Sequence, residues 1–505
     1  MPPPPAIELR AIDKWFGAVH ANRGVSLAIA RGTITGIIGE NGAGKSTLMN
    51  ILYGLVEADG GQILVDGAPV RLRRPADAIA HGIGMVHQHF LLVDRLTVLE
   101  NVTLGAEASS LLGRALHAAR VELARLERDY GLEVDPDAPV GALPIGAQQR
   151  VEILKALYRG ARVLILDEPT AVLTPQETDR LFRILGSLKA SGVTVILISH
   201  KLREIMAATD TVVVMRRGRV VAERATAATD REALAELMVG RKVRLALDKA
   251  PATPGPPALL VEGLGLRDRR GVAVLGDVDL GLNAGEIVGI AGVSGNGQSE
   301  LLEVLAGMRA PTAGRITIGA RVITPHAPTD PAEMRALGVA HVPEDRRRFG
   351  LVARFEARES AVLGYQRQAP FARRGWLDPA ALSRHCRALM TRFDIRPPVP
   401  TVPSAGLSGG NQQKLILARE IAPAPRVLLV GQPTRGVDIG AIEFIHRRLV
   451  ALRDAGCAIL MVSVELDEIM ALADRIIVMA GGRIAGVVAG ADADERRLGL
   501  MMTAS

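Results

Sequence analysis

The chain has 505 residues, of which 48% are apolar and 23% charged. This composition excludes an intrinsically disordered protein and allows roughly two to four domains. Aromatic residues make up only 3%, which argues against a surface of stacked rings for single-stranded nucleic acid. The formal net charge is +7, but the basic residues are scattered along the chain, so we expect no nucleic-acid partner.

The cysteine pattern and the hydropathy indicate a cytoplasmic location. Cys386 and Cys457 stand far apart, with neither metal-ligand spacing nor a disulfide framework. The opening MPPPPAIELR lacks the apolar core of a signal peptide, and no apolar run approaches the ~18 residues of a membrane helix. We expect a chain that does not cross a membrane by itself.

The sequence contains an internal repeat. Residues 24–54 resemble residues 277–307 at an offset of 253, and three later pairs of segments resemble each other at an offset of 264. Two homologous halves are therefore predicted. The predicted limits are a first domain at 1–242, a Pro- and Ala-rich linker at 243–258, and a second domain at 259–505.

Each half is predicted to be an α/β domain. Apolar strands at 34–38, 163–166 and 193–198 each run into Gly or polar residues and then into a helical pattern. Residues 97–156 have helical periodicity without clear strands. This segment is predicted to be a helical subdomain inserted into the α/β core.

The first of these strands leads into GENGAGKS, which fits the phosphate-loop pattern G-x-x-x-x-G-K-S. Backbone N–H groups of such a loop wrap phosphates, Lys45 neutralises β/γ oxygens, and Ser46 can ligate Mg²⁺. The predicted ATP-binding residues here are Gly39, Glu40, Asn41, Gly42, Ala43, Gly44, Lys45, Ser46 and Thr47.

A pair of carboxylates follows the strand at 163–166, in the string VLILDEPT. Asp167 is predicted to hold Mg²⁺, directly or through water, and Glu168 to polarise an attacking water. A merely structural role is disfavoured, because unpaired charge is costly to bury.

With these motifs in order, the chain resembles the ATP-binding subunit of ATP-binding-cassette (ABC) importers, with two cassettes fused in one polypeptide. LSGGNQQK at 407–414 resembles the signature motif of that family. The resemblance implies two tandem P-loop nucleotide-binding domains, each an α/β core with an inserted helical subdomain. It also implies ATP and Mg²⁺ as ligands, with ATP contacts from Ser408, Gly409 and Gly410.

Three further site residues follow from the resemblance. Gln88 fits the Q-loop, which implies a catalytic role and a Mg²⁺ contact, and His200 fits the catalytic switch histidine. Phe16 fits the aromatic residue that stacks on adenine, with the adjacent Trp15 as the alternative.

Other strings resemble one branch of the family. TAVLTPQE, PEDRRRFGLV and QPTRGVD are similar to importers of simple sugars, of the ribose and galactoside type, and GNGQ combined with QPTRGVD is closest to the nucleoside-importing subgroup. This implies two integral membrane permease subunits, an extracytoplasmic solute-binding protein, and a peripheral position on the cytoplasmic face of the inner membrane. One tandem chain would form the whole cassette dimer.

Cassettes of this family pair head to tail, so each ATP lies between the phosphate loop of one half and the signature of the other. The first site keeps every family residue, including the D-loop Asp438 of the opposite half. The second site departs at most positions, where the family residues are replaced by Gln298, Glu344, Gly431, Gln432, Val464, Pro144 and Thr174. We expect one competent and one degenerate site.

The alternative is a soluble twin-cassette ATPase that acts on the ribosome. Such proteins usually carry a long charged linker and two intact sites, whereas this chain has a short Pro-rich linker and one damaged site. A DNA-repair ATPase of the same superfamily needs a coiled coil or a zinc insertion, and the sequence has neither a long heptad run nor a Cys cluster.

Overall fold

The computed structural model describes residues 4–87, 90–105, 112–170, 173, 175–199, 201–242, 247, 249–293, 295–437 and 439–502. The chain divides into two compact units, Met1–Val243 and Arg244–Ser505.

The first unit alternates strands and helices. Its strands are β1 (Ile7–Phe16), β2 (Val19–Ile29), β3 (Ile34–Ile38), β4 (Gly60–Val65), β5 (Ala68–Val70), β6 (Ile83–Val86), β7 (Val163–Asp167), β8 (Thr194–Ile198), β9 (Thr211–Arg216) and β10 (Arg219–Ala225). Its helices are α1 (Lys45–Leu52), α2 (Pro75–Ala80), α3 (Val98–Thr103), α4 (Leu112–Tyr130), α5 (Ile145–Tyr158), α6 (Pro175–Ala190), α7 (Leu202–Ala208) and α8 (Arg231–Val239).

These strands form two sheets. The antiparallel sheet has the order β2-β1-β4-β5, and the six-stranded sheet has the order β10-β9-β3-β8-β7-β6. In the larger sheet β9, β3, β8, β7 and β6 run parallel, and β10 pairs antiparallel with β9. The carboxyl ends of β3, β8 and β7 therefore lie side by side, where ligands of open α/β sheets bind.

The apolar sequence of the central strands explains their position. β3 (ITGII) and β8 (TVILI) are buried at every residue, as expected of parallel strands that are covered on both faces. The predicted helical subdomain is confirmed, since α3 and α4 both pack against α5. A capping box fixes the start of α3, because the Glu100 N–H donates to Thr97 Oγ1 at 3.2 Å and the Thr97 N–H to Glu100 Oε2 at 2.8 Å.

The second unit repeats this plan. Its strands are β11 (Pro257–Arg267), β12 (Ala273–Asn283), β13 (Ile287–Ala291), β14 (Ala313–Ile318), β15 (Arg321–Ile323), β16 (Val339–Val342), β17 (Ala372–Arg373), β18 (Trp376–Leu377), β19 (Val427–Gly431), β20 (Ala458–Val462), β21 (Arg475–Ala480) and β22 (Arg483–Ala489). Its helices are α9 (Gln298–Leu305), α10 (Pro331–Ala336), α11 (Ala357–Ser360), α12 (Pro379–Arg392), α13 (Gly409–Ile421), α14 (Ile439–Asp454), α15 (Leu466–Leu472) and α16 (Glu495–Met502).

The strand orders match those of the first unit. They are β12-β11-β14-β15 and β16-β19-β20-β13-β21-β22, with β17 and β18 as an added small hairpin. The predicted class, two α/β domains with the same internal plan, is confirmed.

Part of the predicted linker is held on the second unit. Lys249 Nζ donates to the Leu472 carbonyl at 2.7 Å and pairs with an Asp474 oxygen at 2.7 Å. The buried Arg453 guanidinium bonds to the Ala250 carbonyl and to Asp474, at 2.9 Å each. Residues 249–250 are thus fastened to the second unit before β11 begins; the domain limits stay a prediction.

Two further sequence expectations concern cysteines and membrane spans. Cys386 and Cys457 are buried free thiols, and burial raises the pKa of each to about 12. Among the helices that the structure describes, none combines the length and the apolar character needed to span a bilayer.

Candidate functional site

The phosphate loop of the first unit joins β3 to α1 and lies against neighbouring backbone. A Cβ on Gly39 would come within 2.3 Å of the Met215 carbonyl oxygen, and one on Gly44 within 2.5 Å of the Ala21 carbonyl oxygen. Gly44 also has a φ of +101°, in the left-handed region. Glycine is therefore required at both positions, and the packing holds the loop in one shape.

Lys45 begins α1 and lies inside the loop. Its Nζ donates to the carbonyl oxygens of Gly39 at 2.7 Å and Glu40 at 3.1 Å, and only 6% of the residue is exposed. Burial lowers the pKa of Lys45, while the charges of Glu168 and Asp167 act in the opposite direction. A buried ammonium between carbonyl oxygens is well placed to exchange them for phosphate oxygens.

Asp167 and Glu168 follow β7, as the sequence predicts. The Asp167 carboxyl is hydrogen-bonded to the Ser46 side chain; burial raises its pKa, and the Glu168 charge acts in the same direction. Glu168 has a φ of +48°, and its N–H donates to the Ile198 carbonyl at 2.9 Å. This unusual backbone conformation fixes the turn that carries the proposed base.

The donor set of this site fits Mg²⁺. Ser46 and Asp167 offer a hydroxyl and a carboxylate, the hard oxygen ligands that Mg²⁺ takes together with phosphate oxygens. When bound, the ion would neutralise charge on the β/γ-phosphates. Within the described part of the chain, no group of three or more His, Cys, Asp or Glu side chains forms a separate metal site.

The remaining predicted residues of the first unit occupy different surroundings. Asn41 is exposed, Ala43 buried and Thr47 half-buried. Phe16 ends β1 with 50% of its surface exposed, while one face of Trp15 stacks on His20 at 3.6 Å between ring centroids. Gln88, His200, Thr174 and Asp438 lie outside the described residues.

The corresponding turn of the second unit keeps the backbone and lacks the acids. Gln432 has a φ of +51°, and its N–H donates to the Val462 carbonyl at 2.7 Å, as Glu168 does to Ile198. Its side-chain oxygen accepts from the Val464 N–H at 3.2 Å. The turn of the first unit thus keeps its backbone shape here, with an amide in place of the carboxylate.

The two signature segments begin equivalent helices. Ser408 is the N-cap of α13, and its Oγ accepts from Asn411 Nδ2 at 2.8 Å. Pro144 is the N-cap of α5 and supplies no side-chain bond. Ser408, Gly409 and Gly410 therefore present a hydroxyl and a helix N-terminus, a combination that suits an anion.

Sequence reasoning missed the charged side chains that pack on these signature segments. A Cβ on Gly146 would come within 2.4 Å of Glu177 Oε1, whereas one on Gly409 would come within 2.7 Å of an Arg346 nitrogen. Arg346 also donates to the Arg435 carbonyl at 2.6 Å. One signature thus has a carboxylate beside it and the other a guanidinium. No local pattern signals these long-range contacts.

Asn22 is a further supporting residue that the sequence did not reveal. It is fully buried, and its Nδ2 donates to the Gly44 carbonyl at 3.1 Å. At the equivalent position the second half has Leu275. A comparison of the two halves at this position could therefore have identified Asn22 from the sequence.

The fold and this site define a tandem nucleotide-binding protein, and comparison with known proteins gives the family. The family model described as "ABC transporter" matches residues 22–171 and again residues 275–435. The chain belongs to the ABC transporter family. It is a tandem ATP-binding subunit of the importer type, an ATPase whose activity is coupled to solute import.

Three curated relatives align over nearly the whole chain. The nucleoside import ATP-binding protein NupA of Lactococcus lactis subsp. cremoris is 45% identical over 98% of this chain and 97% of its own length. The guanosine import ATP-binding protein NupO of Bacillus subtilis is 44% identical over 99% and 97%. The glucose import ATP-binding protein TsgD13 of Haloferax volcanii is 45% identical over 99% and 96%.

Proposed function

We propose that this ATPase hydrolyses ATP at one composite site, formed by the phosphate loop of the first cassette and the signature of the second, and that the other composite site is degenerate. The observation that carries the proposal is the turn after β7, where Asp167 and Glu168 stand beside the buried Lys45. The equivalent turn in the second unit has Gly431 and Gln432.

Each residue of the first site has a role in this scheme. Lys45 binds the β/γ-phosphate oxygens, while Ser46, Asp167 and Gln88 hold Mg²⁺. Glu168 polarises the attacking water, and His200 orients the γ-phosphate. The glycines of the loop let backbone N–H groups contact phosphate, and Phe16 stacks on adenine, supported by its exposed ring.

The charges beside the two signatures support the asymmetry. Arg346 beside Gly409 favours a γ-phosphate at the second cassette's signature, and Glu177 beside Gly146 disfavours one at the first. Pro144 also removes a hydroxyl and a backbone N–H from the first signature.

The transported solute proposed here is a nucleoside. Two of the relatives are named for nucleoside and guanosine import, and the third for glucose. The cassette does not contact the solute, so the test uses the cognate extracytoplasmic binding protein. Calorimetric titration with nucleosides and with simple sugars decides the point; saturable binding of sugars alone would contradict the proposal.

Each unit has a groove suited to a membrane subunit. The first is lined in part by Tyr53, His87, Leu91, Glu152, Lys155 and Arg159. The Leu91 N–H donates to Glu152 Oε1 at 2.8 Å, and Lys155 Nζ donates to the Leu91 carbonyl at 3.0 Å, while the Leu91 side chain stays 62% exposed. Leu91 thus offers an exposed apolar side chain inside a groove, where a partner's side chains could pack against it.

The second groove is lined in part by Met308, Arg335, His341, Phe349 and Arg419. We propose that two permease subunits, one for each groove, hold the chain on the cytoplasmic face of the membrane. One tandem chain supplies both cassettes, with no nucleic-acid partner.

Steady-state ATPase activity of the assembled transporter tests the one-site scheme. Lys45→Ala removes the charge that binds the phosphates, so turnover should fall by at least about 10²-fold. Its matched variant Gln298→Ala changes the equivalent first residue of α9 and should alter turnover only a few-fold. Equal losses in the two variants would contradict the scheme.

The proposed base has its own matched pair. Glu168→Gln keeps the shape of the turn and removes the carboxylate, so turnover should fall by about 10²–10⁴-fold. Gln432→Glu restores a carboxylate to the second turn without restoring Asp, Lys or His, and should leave turnover unchanged.

A further inference from the structure

The small hairpin between α11 and α12 of the second unit carries an exposed tryptophan. Its strands β17 and β18 pair antiparallel, with Arg373 opposite Trp376, and Arg374 and Gly375 form the turn between them. Trp376 is 82% exposed and Leu377 48%. A partner that covered this tip would remove a large aromatic surface and an aliphatic one from water.

The hairpin is fixed to the unit beneath it. Phe371, the residue before β17, is buried in a small apolar cluster whose other members are Val362, Tyr365 and Leu382. The Phe371 ring also meets the His385 ring of α12 edge-on, at 4.7 Å between centroids. The Asp378 N–H donates to the Phe371 carbonyl at 2.9 Å and closes the hairpin. Trp376 is therefore presented on a packed support.

The surface around this tryptophan is basic. Residues 364–388 contain five exposed arginines, which are Arg367, Arg373, Arg374, Arg384 and Arg387. The acid of that stretch, Asp378, caps α12 and accepts from the N–H groups of Ala380 and Ala381 at 2.8 and 3.1 Å. Within the described part of the chain, none of the five arginines is ion-paired. Five arginines against one aspartate give this stretch a formal charge of +4.

The turn holds an arginine in a backbone conformation that arginine disfavours. The φ angles are +52° at Arg374 and +84° at Gly375, both positive as a type I′ turn requires. Asn, Asp and Gly are the residues preferred at the first of these positions. The guanidinium at the tip is thus kept at a cost in backbone strain, which points to a use for its charge.

The apolar cluster beneath the hairpin adjoins the second groove. The Arg335 guanidinium lines that groove and lies over the Tyr365 ring, with its Cζ 5.3 Å from the centroid. A Cβ on Gly364 would come within 2.6 Å of the same Cζ. The hairpin therefore borders the surface at which the proposed function puts a membrane subunit.

We propose that the tip of this hairpin, residues 372–377, binds anionic phospholipids of the membrane to which the permease subunits belong. The inference rests on the proposed function, which holds the chain on the cytoplasmic face of that membrane. Arg373 and Arg374 pair with headgroup phosphates. Trp376 and Leu377 enter the region between headgroups and acyl chains, where a tryptophan ring is favourably placed. This lipid contact is additional to the two grooves for the permease subunits.

Sedimentation of the full-length chain with lipid vesicles, in the absence of permease subunits, tests the proposal. One set of vesicles is phosphatidylcholine, and the other is an equimolar mixture of phosphatidylcholine and phosphatidylglycerol. The wild type should bind the anionic vesicles at least about tenfold more tightly than the neutral ones. That preference should shrink as the salt concentration rises, because salt screens the headgroup charge.

Charge variants locate the contact. Arg373→Glu combined with Arg374→Glu should weaken binding to the anionic vesicles by at least about 30-fold. Arg496→Glu combined with Arg497→Glu makes the same change in net charge at exposed arginines of α16, and this matched control should bind as the wild type does. Arg374→Asn suits the positive φ of the turn, so it should fold at least as stably and bind about fivefold more weakly.

Fluorescence reports whether the ring enters the bilayer. The chain has two tryptophans, so Trp15→Phe leaves Trp376 as the sole emitter. Its emission should move to shorter wavelength on anionic vesicles and be quenched by brominated acyl chains. An unchanged spectrum with bound vesicles would show that the ring stays in water and would overturn the insertion.

Other outcomes would overturn the proposal as a whole. These are equal affinity for neutral and anionic vesicles, or equal binding by the two double variants. If the wild type binds no vesicles and Arg373→Glu with Arg374→Glu loses co-purification with the permease, the hairpin contacts an acidic protein surface instead. Vesicle binding requires neither turnover nor a permease, so its failure is distinguishable from failure of the ATPase tests of the proposed function.

Discussion

At the scale of single residues, the Arg346 guanidinium lies beside Gly409, the first residue of the second signature helix α13. This guanidinium is half-buried and packs on Gly409 and Gly436, and burial lowers its pKa. A guanidinium held there by the Arg435 carbonyl adds positive potential where the scheme puts the γ-phosphate.

Arg346→Ala should therefore lower turnover by about tenfold and raise the ATP concentration needed for half-maximal rate. Arg346→Lys keeps a charge and should retain part of the rate. Arg347→Ala removes an exposed arginine one residue away and serves as control. Michaelis kinetics on the assembled transporter measure all three; equal rates for Arg346→Ala and Arg347→Ala would contradict this role.

At neutral pH the ionised Asp167 carboxylate should lower the free energy of unfolding of the nucleotide-free chain. Its raised pKa means that the folded chain keeps this proton to higher pH than the unfolded chain does, so the free energy of unfolding falls as pH rises above the ordinary value of 3.8. Asp167→Asn should raise the Tm of the first cassette at pH 7.5 by about 2–4 °C, and the gain should shrink as pH falls.

Calorimetry without metal or nucleotide measures this shift. Asp179→Asn, an exposed change on α6, is the control. A Tm below that of the wild type at pH 7.5 would show that the carboxylate stabilises the empty site. ATPase activity should be lost in Asp167→Asn, because a metal ligand is removed.

At the scale of elements, the two grooves have exposed apolar side chains at their rims. Leu91 in the first and Phe349 in the second are 62% and 41% exposed. An Asp at either position should weaken attachment to the permease subunits by at least about tenfold and leave ATP binding unchanged.

Co-purification with the permease subunits measures that attachment. Val121→Asp is the matched control, since Val121 is 61% exposed on α4 and lies outside the groove lining. Wild-type recovery of the complex with both Leu91→Asp and Phe349→Asp would rule out the grooves as docking sites.

The local sequence pattern predicted some elements well. The strands expected at 34–38, 163–166 and 193–198 are observed as Ile34–Ile38, Val163–Asp167 and Thr194–Ile198. These are short apolar runs bounded by turn residues, which local pattern identifies. The phosphate loop and the Asp–Glu turn also came from sequence, because each is a contiguous motif.

Contacts between distant segments could not be predicted in this way. Arg346 and Gly409 are 63 residues apart, and Glu344 meets Ser299 across 45 residues. Glu344 appeared in the sequence only as a departure from the family pattern. A Cβ on Gly431 would come within 2.4 Å of Glu344 Cγ, a proximity that becomes visible once β16 and β19 are known to be neighbours.

At the scale of the whole molecule, the head-to-tail scheme joins residues from opposite ends of the chain into one site. Ser408→Arg should abolish turnover at a site whose phosphate loop is in the other half, because the larger side chain would fill the γ-phosphate position. Pro144→Arg makes the same change at the first signature, where both native residues are exposed helix caps. It should change turnover only a few-fold.

ATPase assays and AMP-PNP binding measurements on both variants show which of the two signature segments completes the hydrolysing site. Full activity in Ser408→Arg would contradict the pairing on which the composite site rests. Equal inactivation by both substitutions would show that the second site also turns over.

The attachment of Lys249 and Ala250 to the second unit shortens the tether between the cassettes. The first unit's last helix is capped by Gly240, so eight residues lie between the cap and Lys249, and the span from Gly240 to Lys249 reaches about 30 Å when fully extended. Two domains on so short a tether meet at an effective concentration of about millimolar. If the cassettes pair as the head-to-tail scheme requires, their association would be a first-order event within one chain, so the paired fraction should not change when the protein is diluted.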